Sequence, residues 1–242
     1  MTFTPGASER ARASAQVVVD DLEAVELSGA DGHHLFKVRR LRDSEVVIAT
    51  DGKGSWRRCV VAASRLLADG PVVVEPPAAT TLTVGFAPAK GDRSEWAVAK
   101  LTELGCDRIL ALKTELASVR WNEEAAHKAL ARWRRVALEA SCQARRVTLP
   151  QIEGLLSPAE LLLGEGVALG VPGGPSLGAA TTTILIGPEG GWSEAELGLQ
   201  GTRVGLGANV LRTETAAVAA GVLLGASRAG TVGLVDTGEE RR

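Results

Sequence analysis

The pattern of hydrophobic and polar positions differs between the two parts of the chain. From residue 16 to about residue 76, short apolar runs separated by turn residues predict strands at residues 17–19, 46–49, 56–61 and 72–74. Asp51-Gly52 is a tight-turn signal between two of these strands, and residues 33–41 are predicted to form a short helix. Several short strands joined by turns favour a small β-barrel, preceded by a polar surface segment at residues 1–15.

From Leu82 onward, apolar runs alternate with helical periodicities, which predicts β-α units and a largely parallel sheet. The predicted strands are residues 82–87, 108–112, 167–171, 184–186 and 204–206. The predicted helices are one capped by Asp92 and ended by Gly105, one over residues 121–146, and one over residues 214–226. The last helix is apolar on nearly every side, so we expect it to be buried.

The best domain boundary is Glu75-Pro76-Pro77, because two consecutive prolines make a stiff connector. We therefore expect a β-rich domain at residues 1–76 and an α/β domain at residues 77–242.

Two of the predicted strands each run into a glycine-bearing loop that leads into a helix. After residues 184–186, the glycines within residues 187–191 permit positive φ angles and close backbone approach to a ligand. An S-x-x-E sequence at residues 193–196 is a capping-box signature for the helix that follows. The scheme repeats after residues 204–206, where residues 207–215 lead into the next helix. Open α/β sheets bind ligands in such loops, at the carboxyl ends of neighbouring strands.

Three common motifs are excluded or disfavoured. Residues 205–210 read Gly-Leu-Gly-Ala-Asn-Val and begin like the dinucleotide fingerprint, but Val210 stands at the third glycine position and no distal acid follows. A nucleotide-dependent oxidoreductase is therefore a minor alternative. The chain has neither a G-x-x-x-x-G-K-[ST] phosphate loop nor a G-x-S-x-G nucleophile turn.

The amino-acid composition narrows the class of protein to which this chain can belong. The chain has 242 residues, 45% apolar and 23% charged, which suits two modest globular domains. Its net charge of −2 means that RNA contacts must depend on local basic patches. The three cysteines form no C-x-x-C pair and none lies at ligand spacing from a histidine, so we expect a reducing compartment and no metal site. Without a signal core or a long apolar tract, the chain is predicted to be cytoplasmic and not membrane-bound.

The paired loop sequences carry a resemblance to a known family. G-P-E-G-G with S-x-x-E at residues 187–196, and L-G-x-x-x-L-R-T-E-T-A at residues 206–216, resemble the bacterial 16S ribosomal RNA uridine-N3 methyltransferases. This RsmE family belongs to the SPOUT class. Supporting matches are K-G-D-R at residues 90–93, T-E-L-G at residues 102–105 and the basic helix at residues 133–146.

The resemblance implies an α/β fold with a trefoil-knotted parallel sheet and helices on both faces, preceded by a small PUA-like β-barrel domain that binds RNA. It implies S-adenosylmethionine as the methyl donor, 16S ribosomal RNA or the small ribosomal subunit as the partner, and a homodimer. The implied reaction is methylation of N3 of a specific uridine. The alternatives are a SPOUT methyltransferase acting on another ribosomal or transfer RNA site, and an RNA-binding relative without catalysis.

The loop pattern and the resemblance together predict the site residues. Loss of the uracil N3 proton requires either a carboxylate base, for which Glu189 and Glu214 are candidates, or a cation such as Arg212 that stabilises the uracil anion. A helix-dipole role for Glu214 and a phosphate or cofactor-carboxylate contact for Arg212 stay open. The predicted contacts to S-adenosylmethionine are Gly187, Pro188, Glu189, Gly190, Gly191, Leu206, Gly207, Leu211, Arg212 and Thr213.

Basic side chains supply the predicted RNA contacts. Arg145 and Arg146 stand out because they are adjacent and follow an amphipathic helix. Trp192 is expected either to shield the cofactor or to pack at a dimer surface. Asn209 stands where many relatives have a basic residue, so no catalytic role is assigned to it. The full set of predicted RNA contacts is Lys37, Arg39, Arg40, Lys90, Arg93, Arg145 and Arg146.

Overall fold

The computed structural model describes residues 7–231, which fall into two compact units. The first unit combines residues up to 78 with residues 138–149, and the second combines residues 79–137 with residues from 150 onward. Residues 1–6 of the predicted surface segment lie outside the described range.

Within the described residues, the first unit contains one four-stranded sheet with the strand order β1-β2-β3-β4. Strands β1 and β2 are parallel, and the other two pairs are antiparallel. The predicted tight turn joins β2 to β3: Asp51 Oδ1 accepts hydrogen bonds from the backbone N–H of Lys53 at 2.7 Å and of Ser55 at 3.0 Å. The elements are α1 Ala7–Arg12, β1 Ala15–Val18, α2 Gly29–His33, a π-helical turn His34–Val38, β2 Val46–Thr50, β3 Ser55–Ala62 and β4 Arg65–Val74.

The segment before β1 is largely exposed over residues 8–12, as its composition predicts, but residues 7–12 form α1 and Ala13 is buried. The Arg145 guanidinium donates a hydrogen bond to the carbonyl oxygen of Ala13 at 2.7 Å, and Gln16 Nε2 of β1 donates to the carbonyl oxygen of Arg146 at 2.8 Å. These contacts were not predictable from the local pattern, because their partners are distant in sequence.

Residues 138–149 complete the core of the first unit. Val147 is buried in one cluster with Ala13, Ile48 and Trp56. Its carbonyl oxygen accepts hydrogen bonds from Gly54 N at 3.0 Å and from the Thr50 hydroxyl at 3.1 Å. The first unit is therefore assembled from two separate stretches of the chain.

The second unit is built on a parallel sheet, as the alternation of strands and helices predicts. The six strands among the described residues lie in the order β10-β8-β9-β5-β6-β7, and every neighbouring pair is parallel. The strands are β5 Thr83–Phe86, β6 Arg108–Leu112, β7 Gln151–Leu156, β8 Val167–Gly170, β9 Thr183–Ile186 and β10 Thr202–Val204. The helices are α3 Arg93–Glu103, α4 Glu123–Gln143, α5 Pro158–Leu161, α6 Glu194–Leu197 and α7 Thr213–Arg228.

Both faces of this sheet are covered. Because side chains alternate along a strand, Ile109 and Ala111 of β6 join one hydrophobic cluster and Leu110 and Leu112 join another. Buried residues of α3, α4 and α7 pack in the first cluster, whereas Trp192 and residues 161–162 pack in the second. The predicted parallel sheet with helices on both faces is confirmed. The trefoil knot stays a prediction.

Individual elements of the second unit match the sequence predictions to different degrees. The sequence analysis missed β7, because Gln, Glu and Gly interrupt its apolar pattern. The side chain of Asp92 makes no capping hydrogen bond at the start of α3; instead, the Ser94 hydroxyl accepts one from Ala89 N at 2.9 Å. One face of helix α7 is buried, with Ala217, Ala220 and Leu224 all 0% exposed, whereas Val222 on the same helix is 47% exposed.

Gly205, directly after β10, gives a test of this packing. A Cβ at this position would lie 2.3 Å from the carbonyl oxygen of Gly174, and a backbone atom cannot rotate away as a side chain can. We expect Gly205→Ala to cost about 1–3 kcal/mol and to lower Tm by about 2–4 °C per kcal/mol. The control is Gly178→Ala, whose Cβ would meet its nearest neighbour at 3.8 Å. Equal Tm values for the two variants, measured by calorimetry, would contradict the packing described here.

Candidate functional site

The loops that follow β8, β9 and β10 enclose a cleft of about 300 Å³. This volume lies at the lower end of the range of small-molecule sites. Of the predicted cofactor contacts, all except Arg212 line the cleft. Trp192, for which shielding of the cofactor was one of two expected roles, also lines it. The sequence analysis missed further lining residues, mostly apolar ones without a motif: Gly170, Val171, Pro172, Ile186, Asn209, Val210 and Ala216.

The loop after β9 uses its glycines for two different purposes. Of its three glycines, Gly191 has a positive φ of +75°. Gly187 instead permits close packing, since a Cβ there would lie 3.1 Å from two ring atoms of Trp192. Trp192 is buried and its Nε1 donates a hydrogen bond to the carbonyl oxygen of Gly170 at 2.9 Å. Of its two predicted roles, shielding the ligand cleft matches this position.

Helix α6 begins as the S-x-x-E sequence predicts. The Ser193 hydroxyl accepts a hydrogen bond from Glu196 N at 3.1 Å, and Glu196 Oε2 accepts one from Ser193 N at 2.9 Å. Glu196 is also buried, and its other oxygen accepts from Glu115 N at 3.1 Å. This last contact, which no sequence pattern predicts, ties the loop after β6 to the loop that lines the cleft.

Thr213 joins the two glycine-bearing loops. Its buried hydroxyl donates a hydrogen bond to the carbonyl oxygen of Gly187 at 3.1 Å. The hydroxyl therefore holds the start of α7 against the loop after β9, at a point where both line the cleft. Thr215 is exposed.

The two candidate carboxylates lie on either side of Arg93. One Arg93 guanidinium nitrogen is 3.4 Å from Glu189 Oε1 and 3.8 Å from Glu214 Oε1. Glu189 is exposed, whereas Glu214 is only 8% exposed. Within residues 7–231, Glu214 Oε2 is buried without a hydrogen-bond partner. Buried polar atoms are rarely left unpaired, so this oxygen is a candidate acceptor for a ligand proton.

Arg212 occupies the position just before α7. Its side chain is exposed and makes no capping hydrogen bond. Nothing in the described part of the chain forms an ion pair with its guanidinium. The site thus presents an unpaired cation and an unpaired carboxylate oxygen at the start of one helix.

The predicted RNA contacts are divided between the two units. Lys37, Arg39 and Arg40 are exposed in the first unit, and Lys90 is exposed in the second. Arg145 donates to the carbonyl oxygens of Ala13 and Cys142, at 2.7 and 2.8 Å, and burial lowers its pKa. These contacts show a structural use of Arg145, and its role in RNA binding stays a prediction, as does that of Arg146.

Between residues 7 and 231, no three His, Cys, Asp or Glu side chains converge as metal ligands would. No helix in that range has the length and apolar character that crossing a membrane requires.

Removing the Thr213 hydroxyl tests the link between the loops. Thr213→Val keeps the shape of the side chain but leaves the Gly187 carbonyl oxygen without this donor, so we expect a loss of about 1 kcal/mol in the free energy of unfolding. Thr215→Val, at an exposed position on the same helix, should change it by less than about 0.5 kcal/mol. Urea unfolding of the two variants measures the difference. Equal stabilities would mean that the hydrogen bond does not hold the loops together.

Comparison with known proteins agrees with this geometry. The family described as RNA methyltransferase domain matches residues 76–166 and 173–225, and the RNA methyltransferase PUA domain matches residues 27–66. The ribosomal RNA small subunit methyltransferase E of Mycobacterium bovis is 33% identical over 220 residues, covering 80% of this chain and 83% of that protein. The protein of the same name from Bacillus subtilis is 26% identical over 232 residues, covering 82% and 88%.

A solved structure gives the same result. The ribosomal RNA small subunit methyltransferase E of Neisseria gonorrhoeae, bound to S-adenosyl methionine, superimposes with a TM-score of 0.70. It is 26% identical, and the match covers 87% of this chain and 96% of that protein. The resemblance drawn from the loop sequences is confirmed, and this chain belongs to the ribosomal RNA small subunit methyltransferase E family of RNA methyltransferases.

Proposed function

We propose that this chain transfers a methyl group from S-adenosylmethionine to N3 of a specific uridine in 16S ribosomal RNA. The observation that carries the proposal is the pairing of two features at one sheet edge. A cleft lined by glycine backbone adjoins a helix start that carries Arg212, unpaired among residues 7–231, and Glu214, whose buried Oε2 has no hydrogen-bond partner among the same residues. The first feature suits the methyl donor, and the second suits a uracil.

The cleft fits the methyl donor. A Cβ built at Gly191 or at Gly207 would meet no atom within 4 Å, so the backbone there is open to a ligand. Leu206 and Leu211 add apolar wall against which a nucleoside ring can pack. S-adenosylmethionine supplies a methyl group that is already activated by its positively charged sulfur, so the protein must chiefly orient it and prepare the nucleophile.

The charged groups prepare the nucleophile. The neutral uracil N3 carries a proton, and Glu214 Oε2 accepts it, which frees the N3 lone pair for methylation. The Arg212 guanidinium pairs with a uracil carbonyl oxygen and stabilises the negative charge that forms on the ring. Arg93, close to both carboxylates, keeps Glu214 in place and balances its charge.

Glu214 suits the role of base better than Glu189 does. Glu214 is buried and has one oxygen without a partner in the described residues, whereas Glu189 is exposed and lies closer to Arg93. A carboxylate shielded from water interacts more strongly with a bound proton donor than an exposed one. We therefore assign to Glu214 the role of proton acceptor, and to Glu189 the role of orienting Arg93.

The proposal extends to partners and domains. Residues 1–76, together with residues 138–149, serve as the PUA-like RNA-binding domain, and the remainder from residue 77 serves as the methyltransferase domain. A homodimer is supported by apolar side chains left in solvent, since Val210 is 83% and Val222 is 47% exposed. Light scattering measures the oligomeric state. The RNA substrate places the protein in the cytoplasm.

The decisive experiment is methyl transfer to small ribosomal subunits from a strain that lacks this activity. Labelled S-adenosylmethionine reports transfer, and mapping of the modified nucleotide identifies the base and the atom. Methylation at N3 of a single uridine is expected. Transfer to another base or to a ribose oxygen would show that the chain methylates a different RNA site. The absence of transfer would contradict catalysis and favour an RNA-binding protein without methyltransferase activity.

Arg212→Ala tests the proposed anion-stabilising cation. We expect affinity for S-adenosylhomocysteine to stay within about tenfold, on the order of 1.4 kcal/mol, because Arg212 does not line the cleft. Turnover should fall to a small fraction, because the negative charge on uracil loses its partner. Arg65→Ala, an exposed arginine of β4, is the control and should retain activity. Normal turnover by Arg212→Ala would refute the role.

Replacing each carboxylate by its amide decides between the two bases. Glu214→Gln keeps size and shape but cannot accept the N3 proton, so we expect kcat to fall by about 10²–10⁴-fold. Glu189→Gln keeps Glu214 intact and should reduce kcat far less. Single-turnover kinetics on small subunits, after a check of thermal stability, compares them. The reverse order of effects would transfer the role of base to Glu189.

A further inference from the structure

A second cleft lies at the same edge of the parallel sheet, beyond the loops that form the first. Its volume is about 430 Å³, and it is lined by Pro88 after β5, by residues within 112–121 at and after the end of β6, and by Leu155 of β7. None of the predicted cofactor, catalytic or RNA-binding residues lines it. Its lining includes two cations, one hydroxyl and one aromatic ring: Lys113, Arg120, Thr114 and Trp121.

Thr114 supplies a polar atom without a partner. The residue is 8% exposed, and its hydroxyl oxygen is buried with no hydrogen-bond partner among residues 7–231. A buried hydroxyl normally has a partner, because leaving it unpaired costs free energy. Since Thr114 lines the cleft, a ligand in the cleft can provide that partner.

Trp121 supplies an aromatic wall. It is half-buried, and its ring meets that of Trp133 edge to face, with centroids 5.7 Å apart and an interplanar angle of 70°. Trp133 is 1% exposed in the core, so Trp121 is braced by a fixed neighbour. Braced aromatic rings at a cleft are the usual platform for an unstacked base.

Lys113 and Arg120 supply positive charge. Both are exposed, and neither forms an ion pair within the described residues. Glu115 also lines the cleft, so the lining carries two cations against one carboxylate. A cation without a carboxylate partner is available to a phosphate.

The second cleft adjoins the first. A Cβ at Gly190 would lie 3.5 Å from both Cβ and the carbonyl oxygen of Leu116, which follows Glu115 in the loop after β6. The hydrogen bond from Glu115 N to Glu196 Oε1 ties the same loop to the capping box of α6. The two clefts are therefore close enough for neighbouring nucleotides of one RNA strand to reach both.

We propose that this cleft binds an unpaired nucleotide of the substrate RNA, next to the nucleotide that is methylated. The base packs on Trp121 and bonds with the Thr114 hydroxyl, and Lys113 and Arg120 contact the flanking phosphates. The inference rests on the proposed function for its substrate, but the cleft can be tested by RNA binding alone.

The test measures binding of a fluorescein-labelled oligouridine of about six nucleotides by fluorescence anisotropy over a series of salt concentrations. For single strands, each lost phosphate contact reduces the slope of log K against log salt by about 0.7. The double variant Lys113→Ala/Arg120→Ala should therefore reduce the slope by about 1.4 and weaken binding about tenfold or more at low salt. Thr114→Val should weaken binding severalfold without changing the slope.

Lys128→Ala is the matched control, because Lys128 is an exposed lysine of α4 that pairs only with its helix neighbour Glu124 among the described residues. It should leave affinity and slope unchanged. Thermal unfolding of every variant separates a lost contact from a lost fold. With small subunits as substrate, the double variant should raise KM and leave kcat nearly unchanged, because its contacts form equally in the ground and transition states.

Unchanged affinity and slope in the double variant, or no binding of the oligouridine by the parent protein, would overturn the inference. Failure of the proposed function has a different signature. In that case the parent protein binds the oligouridine with the expected dependence on Lys113 and Arg120, yet transfers no methyl group to small subunits.

Discussion

Backbone packed against backbone is the constraint on which the binding edge of this protein depends. Gly205 lies where any side chain would collide with the Gly174 carbonyl, and Gly187 lies where it would press on the Trp192 ring. Without these glycines, the loops after β8, β9 and β10 would stand apart and no cleft would form. The same packing leaves peptide groups rather than side chains facing a ligand. Such a surface suits a donor that carries no diphosphate and must be recognised through its nucleoside edges.

The start of α7 carries a carboxylate and a cation side by side, and the helix dipole stabilises only the carboxylate. A carboxylate in the first turn, such as Glu214, is stabilised by the positive end of the helix dipole. A cation at the same end is disfavoured, and Arg212 has no compensating carboxylate among residues 7–231. The helix dipole does not fully offset the cost of burying Glu214, because one of its buried oxygens has no hydrogen-bond partner among the described residues. Both departures are costs to the free protein. In the proposed mechanism a bound uracil removes both, because its N3–H donates to Glu214 and its carbonyl oxygen accepts a hydrogen bond from Arg212.

Local signals in the sequence predicted local structure well. The S-x-x-E capping box and the Asp51-Gly52 turn depend on residues within four positions, and both are present as expected. The strand β7 was missed because Glu153 and Gly154 interrupt its apolar run; Glu153 instead pairs with Arg108 on the neighbouring strand at 2.8 Å. The adjacency of β9 and β5 is long-range, and no periodicity encodes it.

The candidate site shows the same limit. The glycine loops were predictable because motif and spacing lie in one stretch of sequence. The sequence does not show that two carboxylates approach Arg93 from other parts of the chain. Nor does it show that Arg145 donates hydrogen bonds to two backbone carbonyls. The roles of both residues in RNA binding stay predictions. The second cleft was missed although most of its lining lies within residues 112–121, because that stretch matches no known motif.

The long helix α4 is followed by a residue that completes the core of the first unit. Val147, packed with Trp56 and Ile48, is translated only after β5, β6 and the whole of α4. The amino-terminal unit therefore cannot finish folding as it leaves the ribosome, although nascent domains generally fold in order from the amino terminus. Part of the core of its sheet stays exposed until residues 138–149 have been synthesised. Synthesis of the second unit therefore begins before the first unit can complete its folding.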